Sequence, residues 1–173
     1  MINLFIKRVL RSIKIDPQLF DEVKKDKKAT FQAAIVVVLS STAAGVGAIH
    51  MGASNFIIAP LFSLISWFVW AYIVYFVGVK LFPEKITDAT PYSLLRTIGF
   101  SSAPGLIRVF GLTPDLMVVT FLGSAFWMLA CMVVAVKQTL SYQSLWRALG
   151  VVILSWLVQA FFLIILLVLT RGV

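Results

Sequence analysis

The chain has 173 residues, of which 61% are hydrophobic and only 13% charged, so its composition is that of a membrane protein and not of a soluble one. The formal net charge is +8, but eight of the fifteen lysines and arginines precede residue 29, beside four acids. A basic flank ahead of a membrane span accounts for this charge, and no separate basic domain exists to bind nucleic acid. A single cysteine, Cys131, and a single histidine, His50, exclude an intrachain disulfide and a Cys/His metal site.

The first predicted element is a short amphipathic helix over residues 1–14. Its apolar residues fall on one arc at the 3.6-residue period, and the opposite arc carries Lys7, Arg8, Arg11 and Lys14. Such a helix can lie in the headgroup region of a bilayer, because its bases are attracted to anionic lipids of the cytoplasmic leaflet. The pattern leaves open the alternative that the helix packs on the protein's own cytoplasmic face.

A second short helix follows, with Asp16 as its cap and Pro17 as its first residue. Residues 1–28 are thus predicted to be a cytoplasmic amino-terminal region, and residues 29–173 a membrane domain. Charge-free windows long enough to cross about 30 Å of hydrocarbon predict four spans. These windows are 29–49, 56–79, 116–136 and 148–170.

Small residues recur four positions apart in the first span, as at Ala43 and Gly47. Membrane helices commonly use such residues to bring their backbones close together. We therefore expect the first span to pack inside the bundle.

Residues 91–112 decide the topology, because they are apolar but interrupted. The distribution of basic residues barely distinguishes four spans from five. Two motifs are more informative: SLLRTIG at 93–99 and SLWRALG at 144–150 share Ser, Leu, Arg and Gly at the same offsets. If they play the same role, the segments that they open enter from the same side, which requires that 91–112 crosses the membrane.

Each motif places an arginine and aromatic neighbours at the mouth of an apolar run, where interface anchors occur. The predicted anchors are Arg96, Arg147, Trp146, Tyr92 and Tyr142. The third span should begin with Thr90 as cap and Pro91 as first residue.

A kink or break is predicted in the middle of the third span, because Pro104 removes a backbone hydrogen bond and Gly105 loosens the turn. The freed backbone groups cannot face lipid and must be covered by neighbouring helices or by a water-lined cavity. Ser101 and Ser102 are placed to bond them again.

Arg108 lies beyond the predicted break. Its side chain can extend to the interface, or it can serve as an intramembrane cation for an anionic ligand or headgroup. A site at the break would also use Ser101 and Ser102, together with Ser155 and Gln159, which share one face of the last span. Ordinary interhelical hydrogen bonding is the alternative for the last pair.

Several segments resemble the bacterial branch of the YIP family (Ypt-interacting proteins) over nearly the whole chain. They are "DPQLFDEVKKDKKAT", "SWFVWAYIVYFVGVKLF", "YSLLRTIGFSSAPGLIRVFGL", "FWMLACMVVAVKQTLSY" and "RALGVVILSWLV", of which the Ala-Pro-Gly run is the most specific. The resemblance implies a compact five-helix domain of the inner (plasma) membrane, with a cytoplasmic amino terminus and the carboxyl terminus on the far side. Eukaryotic relatives act in vesicle traffic with small Rab-type GTPases. We carry over no GTPase-binding residue, because the long amino-terminal region with its Asp-Leu-Tyr-Gly-Pro motif is not found here.

The sequence predicts an all-α, polytopic membrane helix bundle with five transmembrane helices, a kinked or broken third span and short amphipathic cytoplasmic helices before it. No catalytic pairing, phosphate-binding glycine loop or metal set is recognisable, so we expect a non-enzyme without a cofactor.

The expected function is that of a membrane adaptor, scaffold or membrane-organising factor. Its expected partners are the lipid bilayer, with anionic lipids at the cytoplasmic face, and a protein partner or a second copy. The alternative is a small transporter or channel subunit with a site at the broken third span.

Overall fold

A computed structural model describes residues 2–49 and 58–171, and all regular elements within these ranges are helices. Two short helices, α1 (Ile2–Ile13) and α2 (Pro17–Val23), precede the bundle. The bundle comprises α3 (Ala29–Gly47), α4 (Ile58–Tyr75), α5 (Pro91–Ser101), α6 (Pro114–Leu140) and α7 (Leu145–Arg171). A π-helix (Phe76–Leu81) continues α4, and a 3-10 helix (Ala103–Phe110) follows α5. His50 and the start of the predicted second span lie outside the described residues.

Within the described residues, four helices are long and apolar enough to cross a membrane: Ala29–Gly47, Pro60–Leu81, Pro114–Leu140 and Leu145–Phe162. They correspond to the four charge-free windows, and the prediction of an all-helical, multi-pass membrane protein is confirmed. The interrupted segment is divided between α5 and the 3-10 helix, and neither piece is long enough alone to count as a span.

Local side-chain caps set two helix starts, as predicted. Asp16 Oδ1 accepts a hydrogen bond from the Gln18 N–H at 2.9 Å, at the start of α2. At the start of α5, Thr90 Oγ1 accepts from the Ser93 N–H and Ser93 Oγ accepts from the Thr90 N–H. This reciprocal pair satisfies two backbone donors that a helix start otherwise leaves free.

The segment of α5 and the 3-10 helix runs beside α3 in the same direction, with the two backbones in close contact. A Cβ atom added to Gly99 would lie 2.7 Å from the Ala33 Cβ, and one added to Gly47 would lie 1.9 Å from the Arg108 carbonyl oxygen. Only hydrogen atoms on these α-carbons leave room for such an approach. The close packing predicted for the first span is therefore present.

Two apolar clusters form the core. The first lies between α4, α5, α6 and α7, and its fully buried members include Val74, Leu94, Val136 and Val152. The second joins α1 and α2 to the bundle, and it includes Leu19, Phe20, Ala33 and Phe100. The two amino-terminal helices are therefore packed on the bundle and share its core.

Candidate ligand site and the docked amino-terminal helix

Helix α1 has two different apolar faces. The residues that pack against the second core cluster are Phe5, Val9 and Ile13. A second row, here called the exposed ridge, consists of Ile2, Ile6 and Leu10. One side of α1 thus docks on the protein, which is the second alternative that the sequence left open, and the exposed ridge remains uncovered by the described chain.

Arg8 fastens α1 to the bundle. Its side chain is buried, at 4% exposure, although the sequence placed it with the bases of the outer arc. Its Nε and Nη2 donate to Glu22 Oε1 at 2.9 and 2.7 Å, and Nη2 also donates to Asp26 Oδ2 at 2.8 Å. Its Nη1 donates to Gln32 Oε1 at 2.8 Å. A buried guanidinium with this many partners ties α1, the end of α2 and the start of α3 together.

Arg11 pairs with two carboxylates, those of Asp16 and Glu22. Of the four bases on the predicted basic arc, only the two lysines are therefore exposed. Arg11 Nε donates to Asp16 Oδ2 at 2.7 Å, and its Nη1 donates to Glu22 Oε2 at 2.6 Å. The hydrogen bond from Arg11 lowers the pKa of Asp16 below its ordinary value. Burial opposes ionisation of Glu22, but its hydrogen bonds to the arginines outweigh burial and lower the pKa of this carboxyl too. Lys7 and Lys14 are exposed beside the ridge.

Helix α1 also covers the point, here called the break, at which α5 ends and the 3-10 helix begins. Because Pro104 has no N–H, the carbonyl of Phe100 loses its usual helical partner. The Ser12 hydroxyl of α1, which is fully buried, donates to this carbonyl at 2.6 Å. The last carbonyl groups of α1 are bonded in turn, since Trp127 Nε1 donates to the Ile13 oxygen at 2.9 Å.

A cavity of about 360 Å³, here called the central cavity, lies between α3, α4, α6, α7 and the segment that contains the break. Its polar lining residues are Ser40, Ser41, Ser63, Ser66, Ser102, Arg108 and Gln159. Its apolar and aromatic lining residues are Val37, Ala44, Trp67, Trp70, Ile98, Met128, Met132 and Trp156. A mixture of apolar walls with a few polar groups is typical of small-molecule sites.

Arg108 supplies the positive charge of the central cavity. Its Nε donates to Ser124 Oγ at 2.7 Å, and its guanidinium carbon lies 5.2 Å from the centroid of the Phe121 ring. Among the described residues, no carboxylate forms a salt bridge with it. Among the described residues, the only hydrogen bond of its guanidinium is therefore the one from Nε.

Trp70 is a cavity residue that the sequence analysis missed. It is only 6% exposed, and its Nε1 has no hydrogen-bond partner in the described part of the chain. A buried indole N–H usually finds a partner, so a tryptophan within an apolar span was the available signal. Its neighbour Trp67 is satisfied, since its Nε1 donates to the Leu95 carbonyl at 3.0 Å.

The structure brings together three of the five predicted ligand residues: Ser102, Arg108 and Gln159 all line the central cavity. Ser101 and Ser155 do not line it. They are fully buried, and each hydroxyl donates to a carbonyl of its own helix at 2.7 Å.

The predicted anchors differ in their surroundings. Tyr92, Trp146 and Arg147 are exposed, and Arg147 Nη2 donates to the Pro83 carbonyl at 3.0 Å. Arg96 and Tyr142 are instead buried. The Tyr142 hydroxyl lies 2.7 Å from a backbone carbonyl of the π-helix, and burial raises the pKa of this phenol.

The chain matches a known protein family over most of its length. The family model of the Yip1 domain matches residues 11–167, which include the docked end of α1, all of α2 and nearly the whole bundle. Neither the curated proteins nor the solved structures contain a significant match. Because the match covers most of the chain, the protein belongs to the YIP family of multi-pass membrane proteins.

Proposed function

We propose that the chain crosses the membrane five times, with a cytoplasmic amino terminus and the carboxyl terminus on the far side. The segment of α5 and the 3-10 helix lies along α3, from Ala33 to Gly47. Rises of about 1.5 Å per α-helical residue and about 2.0 Å per 3-10 residue give the segment a length of about 32 Å. That length matches a hydrocarbon core of about 30 Å.

Single cysteines test this topology in a Cys131→Ala background, using sealed membrane vesicles of known orientation. Lys85→Cys and Thr113→Cys place a thiol at exposed positions before and after the segment. A membrane-impermeant maleimide should label them from opposite sides. Labelling from the same side would contradict the fifth crossing.

The function that we propose is that of a non-catalytic membrane-organising scaffold. The observation that carries it is the docked helix α1, which is fixed to the bundle through Arg8 and Ser12 while its exposed ridge lies beside Lys7 and Lys14. An apolar ridge with flanking lysines fits the headgroup region of an anionic leaflet. Because α1 is anchored, its insertion would act as a wedge that shapes the surrounding lipid. A membrane-protein partner or a second copy of the chain is part of this proposal.

Leu10→Ser tests the wedge, and Leu4→Ser is its matched control. The two leucines are similarly exposed, at 52% and 47%, but Leu4 lies on the opposite side of α1 from the ridge. The full chain and both variants are reconstituted in vesicles of phosphatidylcholine and phosphatidylglycerol at the same protein content. We expect smaller vesicles with the wild type and with Leu4→Ser than with Leu10→Ser, measured by light scattering. Equal diameters for all three would refute the wedge.

The partner is tested by crosslinking the tagged chain in its native membrane before capture. Recovery of a membrane protein in constant ratio, or of a crosslinked second copy, is the expected result. Recovery of uncrosslinked single chains only would contradict the scaffold.

The central cavity favours a second candidate, a small transporter for an anion. Within the described residues, Arg108 has no carboxylate partner, and the buried indole N–H of Trp70, in the wall of the cavity, has no hydrogen-bond partner. Uptake of radiolabelled small carboxylates and of phosphate into proteoliposomes is the test. Arg108→Ala should abolish uptake and Arg147→Ala, outside the cavity, should not. Uptake that survives Arg108→Ala would rule out this site.

A further inference from the structure

A second pocket, separate from the central cavity, lies at the end of the bundle where α3 and α5 begin. Its volume is about 800 Å³, and we call it the basic pocket. It is formed by the linker between α2 and α3, by the loop before α5 and by the first turns of α5. The lining residues that matter here are Lys24, Lys25, Lys27, Asp88, Thr90 and Arg96.

Positive charge predominates in the basic pocket. Of the described residues that line it, four are cations and one, Asp88, is a carboxylate. Lys24 is partly committed, since its Nζ lies 2.8 Å from Asp21 Oδ1 and donates to a backbone carbonyl of α6. The neighbouring acid of the linker, Asp26, is bonded by Arg8. The exposed Lys25 and Lys27 therefore keep a charge excess that attracts anions.

Arg96 is an incompletely satisfied cation in the wall of this pocket. It is only 7% exposed, and one of its Nη atoms donates to the Lys24 carbonyl. Its Nε has no partner within residues 2–49 and 58–171, and no carboxylate of that part forms a salt bridge with it. A buried guanidinium is costly unless an anion or further acceptors compensate it.

The start of α5 adds to the positive potential. Thr90 caps the helix, and Pro91 is its first residue. The positive end of the helix dipole therefore lies at the pocket that Thr90 and Arg96 line.

We propose that the basic pocket binds a phosphate group, carried either by a lipid headgroup or by a small phosphorylated solute. Lysines contribute point charges, and the guanidinium of Arg96 offers the planar donors that match phosphate oxygens. The volume is sufficient for a headgroup or a small phosphate ester. This site is independent of the exposed ridge on α1, because it uses other residues and another element.

The two sources are distinguished by two probes applied to the full chain in phosphatidylcholine nanodiscs. Glycerol 3-phosphate tests the free solute by calorimetry. Dioctanoyl phosphatidic acid, compared with dioctanoyl phosphatidylcholine, tests the headgroup by native mass spectrometry. Binding of both phosphate probes assigns the site to the phosphate group itself, and binding of the lipid alone assigns it to a headgroup.

The variant Lys25→Gln/Lys27→Gln removes two cations of the pocket without touching the core. Its matched control is Lys28→Gln/Lys85→Gln, which removes two exposed charges that lie outside the lining. We expect binding of the probe to weaken about tenfold or more in the pocket variant, because charged hydrogen bonds are lost, and less than about twofold in the control. Arg96→Lys, which keeps the charge but not the planar donors, should also weaken binding. Absence of binding by both phosphate probes, or equal affinities in the two double variants, would overturn the proposal.

Discussion

Replacement of Gly47 by alanine tests the close contact between α3 and the segment that contains the break. A Cβ at this position would lie 1.9 Å from the Arg108 carbonyl oxygen and 3.2 Å from the Phe121 ring. Contacts of Cβ atoms below 3.0 Å are essentially not found, so the two backbones would have to separate by about 1 Å. The obstacle is backbone, which cannot turn away as a flexible side chain can.

The free-energy cost follows from comparison with Gly123→Ala, where a new Cβ meets no atom within 4 Å. Alanine is favoured over glycine inside a helix by up to about 1 kcal/mol, and this gain is smaller at Gly47 because it ends α3. The difference between the two variants is therefore at least the overpacking cost, about 1–3 kcal/mol. For a chain of this size, that corresponds to a melting temperature lower by about 2–12 °C.

The thermal unfolding of these variants can be followed through the reactivity of Cys131. Cys131 is the single cysteine of the chain and is fully buried, so a thiol-reactive fluorescent maleimide should label it only as the bundle opens. Heating the purified variants in detergent with this dye gives their unfolding midpoints. Equal midpoints for Gly47→Ala and Gly123→Ala would refute the backbone contact.

Two further predictions concern the docked α1. Ser12→Ala removes the side-chain donor to the buried Phe100 carbonyl, which keeps a backbone N–H from the end of α5, and should lower the free energy of unfolding by about 0.5–1.5 kcal/mol in a circular-dichroism melt, so an unchanged melt would contradict the bond. The native pKa values of Asp16 and Glu22 are lowered. Their pairing with Arg11 therefore stabilises the fold above the ordinary carboxyl pKa of about 4, and this stabilisation is lost as the pH falls through the lowered native pKa values. A nitroxide on α1 should therefore become more mobile in electron paramagnetic resonance spectra recorded well below about pH 4 than at pH 7, and equal mobility would show that the ion pairs do not hold α1.

Local chemistry made part of this structure predictable. Asp16 and Thr90 start helices because a cap bonds a backbone N–H only two or three residues away. The charge-free windows gave the four long helices for an equally simple reason, since length and composition decide whether a segment can span a bilayer.

Contacts between distant elements were not predictable. Ser12 and Phe100 are 88 residues apart, and nothing in the pattern of α1 marks Ser12 as a donor for a break in another helix. Periodicity placed Arg8 among the outer bases, because a helical wheel shows which residues share a face but not which other element packs against that face. Its acidic partner Glu22 is revealed only by the packing of α2. In the candidate site, Arg108 could be singled out as a cation in an apolar run, whereas Trp70 was missed, because its sequence neighbours are apolar and do not show that its indole N–H is left without a partner in the described part of the chain.

Helix α1 packs on the bundle and is also the element that we propose to contact lipid, and this combination determines which experiment can test the proposed contact. Deletion of residues 2–14 would remove the exposed ridge, but it would also remove Ser12 from the Phe100 carbonyl and Arg8 from its acids. The deletion would also remove Phe5, Val9 and Ile13 from the second core cluster, so the deleted protein would differ in its core as well as at its surface. A loss of lipid or partner association after that deletion would therefore not distinguish a wedge from a destabilised bundle. Leu10→Ser makes the distinction, because the Leu10 side chain is exposed and the contacts that seal the break stay in place.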